Sequence, residues 1–543
     1  MPGNVEVYGS FGLKTRDEIL QDLLEAKIIG VDTETISLED KTMIGLAIAP
    51  NTEYAVWFVA KDNPLLEIAL SILRDPKVKK IFFNSKFDYD VLEPYNIDLT
   101  NFEDAEILAY TLNIPQKLYS TVFHLNGVVP KEFAEFSFAK GTTTLDLDPN
   151  FVLQKCCTDA RLTLWCWYQL QGKVTASYYI DKNIVHILRR MEKIGVKLNE
   201  ESVSEFYAEL EEQTSYLRQL IQTKGCDPNS NQQVGVILAQ RGWKLPYTKS
   251  KKQLRVDEKT LRDIDDPIAQ TTLLYREKAK LKSTYAAPLL GRQRAFTHWN
   301  NTRVITGRLS SSDPINFQNI PDYFRVVFMA DDVFYAFDAR QMELRTAAYM
   351  ANEKAMLQAF ANGEDIHEAT NRRLGLNNRK IAKTLNFAVL YLGEEETIIE
   401  TAREAGIRLT PPQATDFRVR YFQIYPDLND YIQSQRSQIT KYGYVTTLFG
   451  RVRYADQFRM GNPRSREAVI RELFNTPIQG TSAEIIKIAM ARAKNYDLRI
   501  QVHDELVFDG ICPPMSMFSG LAPFDVPFKL SMGQSWGDLK EIA

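Results

Sequence analysis

The chain has 543 residues, 44% of them hydrophobic and 25% charged, with a net charge of −3. That length expects roughly three to four domains, and the composition excludes a disordered or fibrous chain. No apolar run reaches the roughly 18 residues of a membrane helix, the N-terminus lacks a signal pattern, and five cysteines without a CxxC pair argue against a disulfide framework or a zinc site.

The near-neutral total hides a division. Residues 1–172 carry 15 Lys+Arg against 25 Asp+Glu, and the remainder carries 51 against 44. Within 276–308, Arg276, Lys278, Lys280, Lys282, Arg292, Arg294, Arg303 and Arg308 stand against a single acid, Glu277. Such a stripe is the footprint of phosphate binding. A solvated helix face gives the same pattern.

Residues 27–59 read as three strands with short loops, an antiparallel meander. A helix near 64–74, a buried-type strand at 80–84 and helices near 86–93 and 101–113 follow. The order βββαβα suggests an α/β nuclease-like sheet. Asp32 and Glu34 are two apart on the first strand, so their side chains share a face. Asp88 follows the fourth strand in NSKFDYDVL, and Asp159 lies in the helical pattern CCTDARLTLWCW. Four acids converging on one sheet end suit two metal ions for phosphodiester hydrolysis. A DxE pair on a strand is also a common exposed pair.

On these motifs, residues 27–172 resemble the proofreading 3′→5′ exonuclease domain of family A DNA polymerases. The resemblance implies that Asp32, Glu34, Asp88 and Asp159 are metal ligands and catalytic. There is one departure. The family has a tyrosine or histidine near the last aspartate to orient water, and the tyrosine slot is Lys155 here, with no Tyr or His in 151–158. The expectation is retained metal binding with altered water positioning, hence a weakened exonuclease.

Residues 173–296 are mostly helical. One helix ends at Gly195, a long amphipathic one ends at Gly225, and LLYREKAKLKSTYAAPLL is a further basic helix. The segment suits an arm gripping duplex phosphates and resembles the family's thumb, where ExxKLKSTY recurs.

TGRLSSSDPINFQNIP (306–321) offers Arg308 to backbone phosphates. Asn316, Gln318 and Asn319 can donate to minor-groove acceptors, which every base pair presents. The stretch resembles the family's TGRLSSxxPNLQNIP, with Ile315 one residue extra. VFYAFDARQMELRTAAYM (333–350) is a strand running into a helix, with Asp338 closing the strand. Its resemblance to DYSQIELR implies Asp338 as a metal ligand, Gln341 as a positioning residue and Glu343 as the steric gate against a 2′-hydroxyl. Arg340 departs from the family and has no assigned role. FANGEDIHEAT supplies His367, which the resemblance makes phosphate-facing.

Arg379, Lys383, Phe387 and Tyr391 are spaced by four in RKIAKTLNFAVLYLG. On a helix they drift about 40° per step and cover about 18 Å of one broad face. Cations at one end suit a triphosphate, and rings at the other suit a base. The pattern resembles the family's nucleotide-binding fingers helix. Arg471, Asn475 and Gln479, also spaced by four, match its template-side contacts.

RIQVHDELVF (499–508) reads as strand, tight turn, strand. Adjacent carboxylates at a turn are costly to desolvate without a cation between them. The resemblance pairs Asp504 with Asp338 as holders of two Mg²⁺, with Mn²⁺ as a substitute. Glu505 and His503 support the hairpin and the primer end, and Lys383 protonates the leaving group.

The resemblance covers 27–543. It implies an RNase H-like α/β exonuclease domain (1–172), then an α+β right-hand polymerase. The latter comprises a helical thumb (173–297), palm (298–348), fingers (349–430) and the rest of the palm (431–543). The expected activity is template-directed addition of dNTPs to primer–template DNA, with proofreading. The expected form is a monomer with no membrane association and no 5′-nuclease domain, cytoplasmic in a bacterial or phage-infected cell, or organellar. The sequence names no replisome partner. Two other classes stay open: a DNA-binding 3′→5′ exonuclease with a non-catalytic polymerase half, and a non-catalytic scaffold.

Overall fold

In the computed structural model, residues 5–9, 14–98, 100–248, 252–376, 378–390, 392, 394–404 and 406–542 are described. Apolar alternation in the first third builds a six-stranded sheet. Its strands are β1 (Val5–Gly9), β2 (Ile28–Thr35), β3 (Met43–Ala49), β4 (Tyr54–Val59), β5 (Lys79–Phe82) and β6 (Phe102–Asp104). The order is β1-β4-β3-β2-β5-β6. β2, β3 and β4 form the expected antiparallel meander, and β5 and β6 add in parallel. The stretch 101–113, expected as helix, divides into β6 and the helix Ala105–Thr111. The break falls at Asp104, whose carboxylate accepts from the amides of Glu106 and Ile107 and caps the helix.

The helix Pro149–Leu170 lies across this sheet. It comes unusually close at Gly30, where a Cβ would stand 2.2 Å from the carbonyl oxygen of Ala160. Only glycine permits that approach, and it brings Lys155 and Asp159 to the Asp32 face of β2.

A second, seven-stranded sheet carries the other carboxylates. It contains β7 (Val196–Leu198), β8 (Arg294–Ala295), β11 (Phe328–Ala339), β14 (Asp497–Val502), β15 (Glu505–Asp509), β16 (Phe528–Ser535) and β17 (Lys540–Glu541). The main path runs β14-β15-β11-β16-β17, and β7 joins β11 to β8. Two small hairpins complete the strands, β9 (Thr297–Asn300) with β10 (Ser310–Pro314) and β12 (Tyr444–Thr446) with β13 (Val452–Tyr454). Phe334, Phe337, Phe508, Phe518 and Phe528 fill the core under the large sheet.

Ile184, Ile187, Leu188 and Met191 belong to that same core. The segment 173–198, read from sequence as the start of the helical arm, is therefore divided between the two cores: its second half packs under this sheet, and Val174, Tyr178 and Val185 join the core of the first sheet. The arm proper comprises Glu200–Gln222, Asn231–Gln240 and Pro267–Leu281, around Leu217, Ile221, Val234, Leu238 and Tyr275. Its basic helix continues into one π turn, Lys282–Ala286.

A further core joins Leu344, Ile366, Leu385 and Tyr421 to Ile439, Val469, Leu473 and Ile478. The helix Pro463–Arg492 is thus shared, since Ile485, Ile486 and Ala489 in its second half join the sheet core. The expected boundary at 430/431 falls inside this packed unit. Among the described residues, no helix is long and apolar enough to cross a membrane.

Candidate active sites

The β14–β15 hairpin turns through two residues, with Val502 opposite Glu505. His503 takes the left-handed conformation, φ 51°. β11 runs alongside, with Asp338 opposite Glu505. The Ala339 amide donates to the Asp504 carbonyl at 3.1 Å. This register places Asp338 and Asp504 at one sheet end. Burial pushes Asp504 up to about 7, with Glu343 and Asp338 adding to the rise and Arg308 opposing it. Asp338 is exposed, and partial desolvation at the sheet end raises its carboxyl against Lys529, Arg340 and Arg325. Two hard oxygen donors at one sheet end, with the Asp504 charge disfavoured by burial and by its acidic neighbours, fit a divalent cation such as Mg²⁺.

Glu505 differs. Its Oε2 accepts from Trp536 Nε1 at 3.1 Å and lies 3.9 Å from an Arg325 nitrogen. The protein already holds this carboxylate, so it supports the hairpin from behind. Arg340, without a role in the sequence, pairs with Glu541 at 2.8 Å and ties β17 to the end of β11. Gln341 is left-handed, φ 55°, and starts the helix Met342–Ala351. Glu343, one residue into that helix, pairs with Arg308.

The loop 316–319 departs from expectation. Gln318 does not present its amide outward: Nε2 donates to the Gln501 carbonyl at 2.8 Å and to Gln501 Oε1 at 3.1 Å, and Oε1 accepts from the His503 amide at 3.4 Å. Asn316 uses its Oδ1 to accept from Ser311 Oγ and from the Gln318 amide. Only Asn319 of the three is exposed. The cause is local: the loop must be fixed against the hairpin, and Gln318 does this.

On the helix Arg379–Leu390, Arg379, Lys383 and Phe387 are exposed, while Ala382, Leu385, Asn386 and Ala388 are buried. The shared face read from sequence is present. Lys383 lies 5.9 Å from the Phe387 ring centroid, and Arg379 pairs with Asp365 at 2.6 Å. Tyr391 lies outside the described residues. His367 is not an exposed cation; it is 4% exposed, and its Nδ1 meets Asn386 Nδ2 at 2.9 Å. Burial, with Arg379 and Lys383 nearby, pushes it down to about 4. It is a neutral donor or acceptor in that site.

Arg471 is exposed and pairs with Glu394 at 2.9 Å, and Gln479 is half-buried. Asn475 is 8% exposed, and its Oδ1 has no partner among the described residues. An unsatisfied buried amide oxygen suits a ligand donor.

In the first sheet, Asp32, Glu34 and Cys156 Sγ bring ligand atoms within 4.8 Å of one another. Asp88 is not one of this group; it accepts from Thr33 Oγ1 at 2.7 Å. Asp159 is held on both oxygens: Tyr119 donates to Oδ1 and Lys155 Nζ donates to Oδ2 at 2.7 Å. Lys155 also reaches Glu34 Oε1 at 3.2 Å. Burial, then Asp159, raises Asp32 well above its usual range, and Lys155 pulls it back. Burial raises Glu34, also against Lys155, and pushes Asp88 up to about 7. Burial works against the Lys155 charge, but Asp159, Glu34 and Asp32 outweigh it and hold the ammonium protonated. The carboxylate oxygens fit a hard cation. Cys156 does not: burial raises its thiol, and its Sγ donates to the Asp32 carbonyl. Tyr119, Trp536, Arg325 and Lys529 escape sequence reasoning because each meets its partner only through the fold.

Residues 196–513 match the family model of DNA polymerase family A, and residues 12–169 match that of a 3′-5′ exonuclease. The chain belongs to DNA polymerase family A. Among family A relatives, it is 30% identical to DNA polymerase I of Chloroflexus aurantiacus, over 97% of this chain and 63% of that protein. It is 29% identical to DNA polymerase I of Pseudomonas aeruginosa, over 96% of this chain and 65% of that one. The chain thus spans less than two thirds of the length of these relatives. The POL domain of Pol1 from M. smegmatis, solved in complex with DNA primer-template and dNTP, has a TM-score of 0.80 at 22% identity, covering 97% and 99% of the two chains. That likeness is one of fold.

Proposed function

We propose that the chain is a template-directed DNA polymerase with a 3′→5′ exonuclease, and that both sites use Mg²⁺. The observation that carries this reading is the convergence of Asp338 and Asp504 at one sheet end, with Arg308 and Glu343 beside them. Family membership and a fold shared with a protein solved with primer-template and dNTP support it.

Asp338 and Asp504 hold the ions. Mg²⁺ held there would acidify the primer 3′-hydroxyl and neutralise charge on the triphosphate. The 3′-oxygen attacks the α-phosphorus, the bond to the bridging β-oxygen breaks, and pyrophosphate leaves. Arg379 and Lys383 bind the triphosphate from the exposed helix face, and Lys383 gives a proton to the departing oxygen. Phe387 stacks on the base, with Tyr391 as its partner. Buried His367 contributes a neutral hydrogen bond. Gln341 positions the helix start, and Glu343 excludes a 2′-hydroxyl. Asn319, Arg471, Asn475 and Gln479 contact DNA. In the exonuclease, Asp32 and Asp88, with Glu34 beside them, would hold the Mg²⁺ that binds the scissile phosphate. Water attacks the terminal phosphorus, the P–O3′ bond breaks, the 3′-oxygen takes a proton, and a nucleoside 5′-monophosphate leaves.

Extension of a primer with dNTPs and Mg²⁺ tests the polymerase. The expected result is extension by the wild type and none by Asp338→Ala. Unchanged extension by that variant overturns the assignment. Degradation of a mismatched 3′ end without dNTPs, abolished by Asp32→Ala, tests the nuclease.

A further inference from the structure

We propose that Lys155 is a built-in cation of the exonuclease site, taking the place of one divalent ion, so that the site binds a single divalent ion at Asp32. The inference rests on the exonuclease reading above. Its geometry is set by the backbone. Lys155 and Asp159 are four apart on one helix, so their side chains share a face. The close approach at Gly30 holds that face against β2. The ammonium consequently lies between two acids, 3.2 Å from Glu34 Oε1 and 2.7 Å from Asp159 Oδ2. Two carboxylates from different elements sharing one half-buried cation is the arrangement expected of a metal ligand pair.

Asp159 gives a second, independent reason. Tyr119, from the helix Leu118–Asn126, donates to Oδ1 while Lys155 donates to Oδ2. Both oxygens therefore serve the protein's own donors. Asp159 is a holder of Lys155, and a dication beside it would lie against an ammonium of the same sign. Asp32 differs: no ammonium or guanidinium pairs with it among the described residues, and none pairs with Asp88, which accepts from the Thr33 hydroxyl. These two acids keep the capacity for a cation.

The test counts ions in the full chain carrying Asp338→Ala and Asp504→Ala, which removes the other carboxylate pair. Mn²⁺ is titrated, and bound metal is read from the loss of the free-ion electron paramagnetic resonance signal. The expected count is one tight Mn²⁺ per chain. Adding Lys155→Met raises it to two, and Lys155→Arg leaves it at one. Lys155→Gln repeats the neutral change if the Met variant does not fold, as judged by circular dichroism. Two ions with Lys155 in place overturn the proposal, as does an equal count in the Lys155 and neutral variants, or no binding at all. Degradation of single-stranded DNA is measured on the same samples and on one that also carries Asp32→Ala. One bound ion without Asp32-dependent degradation fails the nuclease reading alone. Degradation with two bound ions fails the Lys155 proposal alone.

Discussion

Asp504 and Glu505 are adjacent in sequence yet live in different surroundings. Burial and two neighbouring acids destabilise the Asp504 charge, whereas Trp536 and Arg325 hold Glu505. A carboxylate without a protein partner is the one a cation rewards most. Asp504→Ala should therefore lower primer extension by at least about 10³-fold. Glu505→Gln, which removes only a support, should cost about 10-fold. Steady-state extension rates at saturating dNTP check this; equal losses would remove the distinction. The asymmetry was only partly legible in the sequence. The turn and its acids follow from alternation in RIQVHDELVF, but Trp536 lies 31 residues from Glu505 and reaches it only through β16. Tyr119 is still harder to anticipate, since 40 residues separate it from Asp159.

At the scale of elements, local pattern carried most of the information. The β2–β4 meander, the strand–helix unit around Asp338 and the exposed cation-then-ring face of 379–387 all follow from spacing. The helix Arg16–Glu25 opens on a capping box, Thr15 with Glu18, which is a local signal too. β1 and β6 are short and gain their meaning only from pairing with β4 and β5. The loop 316–319 shows the opposite limit. Its amides suggest DNA donors, but Gln318 is spent on the hairpin. Replacing Gln318 with Leu removes all three bonds that tie the loop to residues 501 and 503. The expected effect is a drop in kcat of roughly 10–100-fold from misplaced Asp504, with KM for dNTP little changed. Pre-steady-state extension separates the two constants, and a pure KM effect would restore Gln318 to the substrate side.

The whole molecule is joined by buried polar contacts between its two sheets, which no composition or periodicity announces. Arg451, Asp181, Glu484 and Lys487 are each at most 1% exposed and balance two cations against two acids. They link the helix Ala176–Asn183 to the shared helix Pro463–Arg492. A second joint is less balanced. Glu106, on the exonuclease side, accepts from Thr302 Oγ1 at 2.9 Å. Burial, with Asp104 adding to it, pushes Glu106 up to about 8, against that hydrogen bond and Lys86. In the unfolded chain the same group titrates near 4.3. Between these values the folded chain keeps a proton that the unfolded chain loses. Stability from this joint is therefore full below the unfolded value and falls as pH rises towards 8. Glu106→Gln keeps an oxygen for Thr302 and abolishes the titration. It should stabilise the chain at pH 8.5 by on the order of 3 kcal/mol and change it little at pH 5. Urea unfolding at the two pH values checks this. Equal effects at both would mean that Glu106 is ionised in the folded protein, and that the joint between the sheets carries a charge.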